Sequence, residues 1–289
     1  MKEIVKAKIA PLLSADEEIQ SVEQLGGMTN QNYLVKTSSN QYIVKFFGKG
    51  TDKLIDRQNE KYNLELLKDL KLDVENYLFD IEAGIKVNQY IENAETLDST
   101  IIKTKFEKIA PILQTIHASG KELKGEFAPF EEIKKYESLI QGEISYPNYE
   151  IVRKLVFSLK DQLEEIGIDK KSCHIDLVPE NFIEGPDGHL YLIDWEYSSM
   201  NDPMWDLAAL FLESEFTSVE EEDFLSHYES DKTPVSREKI RIYKILQDII
   251  WSLWTIYKEE NGADFGDYGI SRYNRAVKEL ESEGDLNEN

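Results

Sequence analysis

At 289 residues, with 41% hydrophobic and 11% aromatic side chains, the chain is long enough to bury the core of one large or two modest folded units. Acids outnumber bases 56 to 33, and the resulting net charge of -23 repels nucleic acid and anionic membranes while attracting a small cation. The single cysteine, Cys173, excludes an internal disulfide; with no signal-like apolar core and no run of membrane-spanning length, the sequence predicts a cytoplasmic protein.

Ile4, Val5, Ile9, Leu12 and Leu13 recur at near-helical spacing, which predicts a short amphipathic helix in spite of Pro11. From Ile19 the pattern changes to three β-rich runs, IQSVEQL, NYLVKT and QYIVKFF, the last two joined by Ser38, Ser39 and Asn40. The segment between the first two holds Gly26, Gly27, Thr29, Asn30 and Asn32. Glycines there let backbone N–H groups approach an anion, and the small polar side chains add donors, although Gly-Gly with Asn is also ordinary hairpin punctuation. Lys45 stands on an apolar strand, where a desolvated ammonium needs an anionic partner. A helix over about 54–70 carries Glu60 and Glu65, and strands at 77–81 and 84–91 complete five.

Past Glu92 the apolar spacing becomes helical and leads to His117, read as a core histidine at a helix end; further helices follow between 128 and 168. Cys173, next to His174, is read as an inert core thiol. Residues 174–206 then contain two polar clusters, His174/Asp176/Asn181 and Asp194/Glu196, separated by Gly185-Pro186-Asp187-Gly188 and the run Leu190 to Ile193. That spacing predicts a hairpin with the polar clusters at its open end. Asp176 can take a proton from a substrate hydroxyl, while the Asn181 carboxamide and the Asp194 carboxylate offer oxygen to a hard divalent cation. Phosphoryl transfer needs those parts. Asp202 before Pro203 marks a helix start, and a later helix over about 240–257 places Trp251, Trp254 and Tyr257 on one face. Such a stripe is either core or, with Trp195, Tyr197 and the acids Glu196 and Glu213, a wall for a quaternary ammonium.

His174-Ile175-Asp176 with Asn181, followed by Ile193-Asp194-Trp195-Glu196-Tyr197, resembles the catalytic loop and metal-binding segment of the aminoglycoside phosphotransferase and choline kinase superfamily, distant relatives of protein kinases. Ile175 stands where protein kinases carry Arg, and Trp195-Glu196 replaces Phe-Gly, departures shared by small-molecule kinases of the choline kinase type. The resemblance implies an α+β, bilobal protein-kinase-like fold. Residues 1–91 would form a small nucleotide-binding lobe with a five-stranded antiparallel sheet and one main helix, 92–280 a larger, mostly helical catalytic and substrate-binding lobe, and 281–289 a disordered acidic tail. It also implies ATP and Mg²⁺ as cofactors, with Lys45 on the nucleotide phosphates and paired to a helix glutamate, Glu60 or Glu65, of which Glu60 matches the superfamily position better. Asn88, Gln89, Tyr90 and Ile91 resemble the hinge that meets adenine, and His174 and Asp206 resemble residues that brace the catalytic loop.

The similarity covers nearly the whole chain and is close to bacterial choline kinases that feed phosphorylcholine decoration of cell-surface polymers. Trp251, Trp254, Tyr197 and Glu213 match positions that this branch uses for its substrate. The expectation is therefore ATP-dependent phosphorylation of choline. Ethanolamine or another amino alcohol, an aminoglycoside, and an inactive nucleotide-binding scaffold are the alternatives; the last sits poorly with the presence of Lys45, Asp176, Asn181 and Asp194 together.

Overall fold

Alternation along the first strands decides where the N-terminal core forms. The computed structural model describes residues 2–26, 30–48 and 50–282. The chain divides into two compact units, Met1–Ile112 with Pro179–Ser198, and Leu113–Val178 with Ser199–Asn289.

In the first unit, helix α1 (Lys2–Ile9) precedes strands β1 (Ile19–Gln24), β2 (Gln31–Thr37) and β3 (Gln41–Phe46), then α2 (Arg57–Leu67), β4 (Asn76–Asp80) and β5 (Ile85–Gln89). Among the described residues the strands form a five-stranded antiparallel sheet in the order β1-β2-β3-β5-β4. One sheet face supplies Tyr33, Val35, Tyr42, Val44, Ile85 and Val87, which bury Val5 and Ile9 of α1. Side chains alternate across a strand, so Asn32, Lys45 and Lys86, in direct register across β2, β3 and β5, leave by the other face. Helix α2 is matched to that polar face. Its start is capped by Asp56, whose carboxylate accepts from Gln58 and Asn59 (2.9 and 3.1 Å), and its buried stripe is Arg57, Glu60, Asn63 and Leu67.

The unit is completed by β6 (Glu95–Thr96), the first part of α3 (Phe106–His117), and the hairpin predicted from the sequence. Later come α4 (Pro129–Leu139), α5 (Tyr149–Ile166) and β7 (Lys171–Cys173), before the hairpin strands β8 (Phe182–Glu184) and β9 (Leu190–Leu192). Phe182 opposes Leu192, and Gly188, at φ +81°, donates its N–H to the Gly185 carbonyl (2.9 Å) in a turn that needs a residue without Cβ.

The second unit pairs β7 with β10 (Ser199–Asn201) and is otherwise helical: α4, α5, α6 (Pro203–Glu213), α7 (Ser218–Tyr228), α8 (Arg237–Glu260) and α9 (Tyr268–Ser282). The long α8 is the centre, buried along most of its length and packed by α4, α5, α6 and α9. Asp202 caps α6 by accepting from Met204 (3.0 Å), with Pro203 in the first turn. Helix α9 runs to Ser282, so Glu281 and Ser282, assigned to the tail by the sequence reading, are helical; 283–289 lie outside the described residues.

Candidate active site

In the first unit the register that puts Lys45 opposite Lys86 creates an electrostatic problem, because like charges facing each other across strands repel. The fold resolves it with two separate acids. Lys45 Nζ donates to Asp194 Oδ1 (2.5 Å), and Lys86 Nζ donates to Glu60 Oε1 (2.6 Å). Glu60 Oε2 also accepts from Arg57 (2.6 Å), and Arg57 continues to Glu196 Oε2 (2.9 Å) and Asn30 Oδ1 (3.0 Å) while stacking on Phe47, 4.1 Å from its centroid. Burial alone would push the Glu60 carboxyl up, but Lys86 and Arg57 together hold it below the usual range. Glu196 goes the other way: burial and the nearby Asp194 raise it against Lys45 and Arg57.

The hairpin brings two oxygen donors to one end. Ile193 donates its N–H to the Asn181 carbonyl (2.8 Å), so Asp194 follows directly after the rung on which Asn181 sits. Asp194 sits at φ +68°, a left-handed conformation that an aspartate tolerates, and its side chain is 27% exposed where that of Lys45 is 7%. A carboxamide and a half-exposed carboxylate are hard oxygen ligands of the kind Mg²⁺ takes alongside water and phosphate, so the donor set fits that ion.

In the second unit the loop after β7 is strained and tightly held. Ile175 adopts φ +78°, a conformation that costs a β-branched residue of order 1–3 kcal/mol. Its N–H donates to Asp206 Oδ1 (2.8 Å), its carbonyl accepts from Trp205 Nε1 (3.0 Å), and the neighbouring His174 N–H donates to Asp206 Oδ2 (2.8 Å). Asp176, the next residue, is half-buried at the end of this clamp. Asp206 is also met by His117 Nε2 (3.0 Å), whose Nδ1 lies 2.7 Å from the Tyr228 hydroxyl. A carboxylate only accepts, so His117 donates from Nε2, and its Nδ1 shares the second hydrogen bond with the tyrosine hydroxyl. His117, Cys173 and Asp206 bring nitrogen, sulfur and oxygen within 4.8 Å of one another, but these atoms are spent on one another and on the main chain, and the group is a brace. Burial raises the Cys173 thiol well above its ordinary value, in keeping with an inert residue.

Helix α8 presents Trp251 and Trp254 edge to face, with centroids 6.5 Å apart at 88°; Phe265 lies 4.9 Å from Trp254 and Tyr268 a further 6.4 Å on. Near Asp176, the buried Tyr136 has its phenol pushed well up by burial, with Glu132, Tyr257 and Asp176 adding. Glu213, at the end of α6, accepts from Arg272 NH1 (2.7 Å) and NH2.

The sequence profile of the choline/ethanolamine kinase family matches residues 22–240. The chain belongs to that family. Protein LicA of Haemophilus influenzae is 32% identical over 269 residues, covering 89% of this chain and 79% of the relative. The crystal structure of choline kinase LicA from Streptococcus pneumoniae is 78% identical and superposes with a TM-score of 0.94 over 98% of this chain and 99% of that one. LicA in complex with AMP is 79% identical, with a TM-score of 0.92 over 97% and 98%. The mixed α and β architecture is therefore the protein-kinase-like one.

For this family member the structure alters several readings taken from the sequence. Glu60 does not pair with Lys45, because Lys86 directly across the sheet takes that carboxylate, and Glu65 is exposed. Trp195 is buried, donating Nε1–H to the Leu192 carbonyl (2.8 Å), and Glu196 is locked to Arg57, so within this unit neither forms an open wall. Tyr197 is half-buried. Asn30 turns inward, donating from Nδ2 to Glu196 (2.7 Å) and accepting from Arg57 at Oδ1, while Asn32 donates to the Gly26 carbonyl (3.0 Å) and ties the loop's first end; Gly27 and Thr29 lie outside the described residues. Asn88 and Gln89 serve the sheet, Asn88 Oδ1 accepting from Asn76 (2.8 Å) and the Gln89 N–H going to Glu75 (2.8 Å), whereas Tyr90 and Ile91 lie past the end of β5. In the second unit Trp251 is half-buried and Trp254 and Tyr257 are buried. Sequence reasoning missed Arg57, Lys86, Tyr136 and Arg272. Strand alternation in Ile85-Lys86-Val87 was the available signal for Lys86; Arg272 carried none.

Proposed function

We propose that this choline/ethanolamine kinase family member is a choline kinase, transferring the γ-phosphoryl group of ATP to the choline hydroxyl with Mg²⁺ to give phosphocholine and ADP. The observation that carries the reading is 78% identity over 98% of the chain to the choline kinase of Streptococcus pneumoniae. The Trp251/Trp254 pair with Glu213 close in sequence order to the metal segment supports a quaternary ammonium, which offers charge but no N–H donor.

Asp176 takes the proton from the choline oxygen as that oxygen bonds to the γ-phosphorus and the bond to the bridging oxygen of ADP breaks. Lys45 exchanges Asp194 for phosphate oxygens, an exchange that the partly exposed Asp194 carboxylate permits. Asn181 and Asp194 would hold the Mg²⁺, which would supply charge neutralisation on the phosphates. Tyr90 and Ile91, just past the end of β5, are the backbone positions that would meet adenine, and the glycines Gly26 and Gly27 suit a segment whose backbone N–H groups would approach phosphate. Dependence on ATP and the reduced, buried Cys173 support a cytoplasmic protein, and the charge of -23 speaks against nucleic acid as partner. Among the described residues no helix is long and apolar enough to cross a membrane.

Ethanolamine kinase 2 of Rattus norvegicus is a 26% identical relative over 304 residues, which makes ethanolamine the rival substrate. ADP release measured with Mg²⁺ and choline, ethanolamine or an aminoglycoside should give the highest kcat/KM for choline. A higher value for ethanolamine would move the assignment to that substrate.

A further inference from the structure

We propose that Arg272 is a positioning residue that anchors one oxygen of Glu213, leaves the other to the substrate cation, and thereby sets the preference for a positively charged alcohol. The inference rests on the reading that Glu213 faces the choline nitrogen.

Three observations carry it. The first is the asymmetry of the pair: both terminal nitrogens of Arg272 donate to Glu213 Oε1, and Oε2 has no partner among the described residues. The second is exposure. The Arg272 side chain is 5% exposed and that of Glu213 19%, so the guanidinium stands behind the carboxylate and is screened from any ligand that reaches Oε2. The third is that Arg272 is itself immobilised. NH1 donates to the Tyr268 hydroxyl (2.8 Å), the guanidinium lies 5.0 Å from the centroid of that ring, and Nε stands 3.3 Å from Asp248 Oδ1. Asp248 in turn is gripped by Arg275 through two bonds of 2.6 Å.

The sign of the effect follows from the charges around Glu213. Burial pushes its carboxyl up and Asp248 adds to that, while Arg272 and Arg275 oppose. Without Arg272 the burial and the Asp248 repulsion act with less opposition, and Glu213 takes up a proton at a higher pH than before. A protonated carboxyl gives a quaternary ammonium neither charge nor an acceptor it can use. The formal charges of Glu213, Arg272, Asp248 and Arg275 cancel, so an incoming cation responds to their order, oxygen in front and guanidinium behind.

The test compares choline with its neutral carbon isostere, 3,3-dimethyl-1-butanol, by kcat/KM from pH 6 to 9 in the full chain and in Arg272→Met, Arg272→Lys and Glu213→Gln. A ratio taken within one variant is insensitive to the fraction folded. Arg272→Met should lower the choline preference about tenfold or more, the equivalent of one unit of pKa or greater, through the choline KM with kcat within about threefold. The preference should return as pH rises and Glu213 ionises, and Arg272→Lys should restore part of it. If Glu213→Gln loses the preference while Arg272→Met keeps the parent ratio at every pH, Arg272 is only a strut and the inference falls. If Glu213→Gln keeps the ratio, the reading that Glu213 meets the cation falls first and takes the inference with it.

Discussion

Asp194 in the first unit and Asp206 in the second are both paired acids beside residues in left-handed or strained backbone, yet they are held by different kinds of partner. Asp194 meets a lysine ammonium on a flexible stem and stays 27% exposed. Asp206 is fully buried and accepts from two main-chain N–H groups and from a histidine that is itself held by Tyr228. A side-chain partner can be exchanged for a phosphate, because the Asp194 carboxylate is partly exposed and the buried Lys45 ammonium trades one anion for another without being left unpaired. Main-chain donors cannot leave, and stranding them in the core costs their full desolvation. The first arrangement suits an acid that must change partners during turnover, the second one that must hold a loop still. The cluster of Arg57, Glu60, Lys86 and Glu196 is an intermediate case, built from side chains like the first and buried like the second.

The largest effect should come from the fixed acid. Asp206→Ala orphans the His174 and Ile175 N–H groups and releases a strained loop, and should lower the unfolding free energy by about 4 kcal/mol in urea titration. A loss below about 1 kcal/mol would place Asp206 with the exchangeable pairs. Glu60→Gln comes next. It removes the only carboxylate bonded to the buried Lys86 among the described residues and should cost about 3 kcal/mol by the same measurement; near-neutral behaviour would mean that burial does not make a side-chain pair permanent.

The smallest effect sharpens the electrostatics of the first unit. Asp73, half-buried near Lys86, Asp194 and Lys45, has its carboxyl pushed up to about 7, chiefly by burial. A carboxyl raised in the native state keeps its proton there after the unfolded chain has lost it near pH 4, so stability declines as pH climbs from about 4 to 7. Asp73→Asn should flatten that decline by about 1–2 kcal/mol, read from thermal melts across the range. An unchanged slope would show that other groups set it.

Much of the chain could be read from local pattern. The period-two runs that became β1, β2, β3, β4 and β5, the Gly185-to-Gly188 turn, the Asp202 cap and the helical spacing of Trp251 and Trp254 depend on neighbours a few residues away, where backbone sterics and side-chain direction act. The order of Asp176, Asn181 and Asp194 marked phosphoryl transfer because that chemistry needs a proton acceptor and two oxygen donors in short succession.

Which charges meet was decided only by the tertiary structure. Lys45 lost Glu60 to Lys86 because cross-strand register set the two lysines side by side, and no spacing within Lys45 to Glu60 records that competition. Glu196 reads in the sequence as part of a substrate wall, yet it lies buried against Arg57, 139 residues away, and Glu213 is held by Arg272, 59 residues away. Residue types and local geometry belong to the sequence; the choice among several possible partners for a buried charge belongs to the packed fold, because only there does desolvation make one pairing much better than the rest.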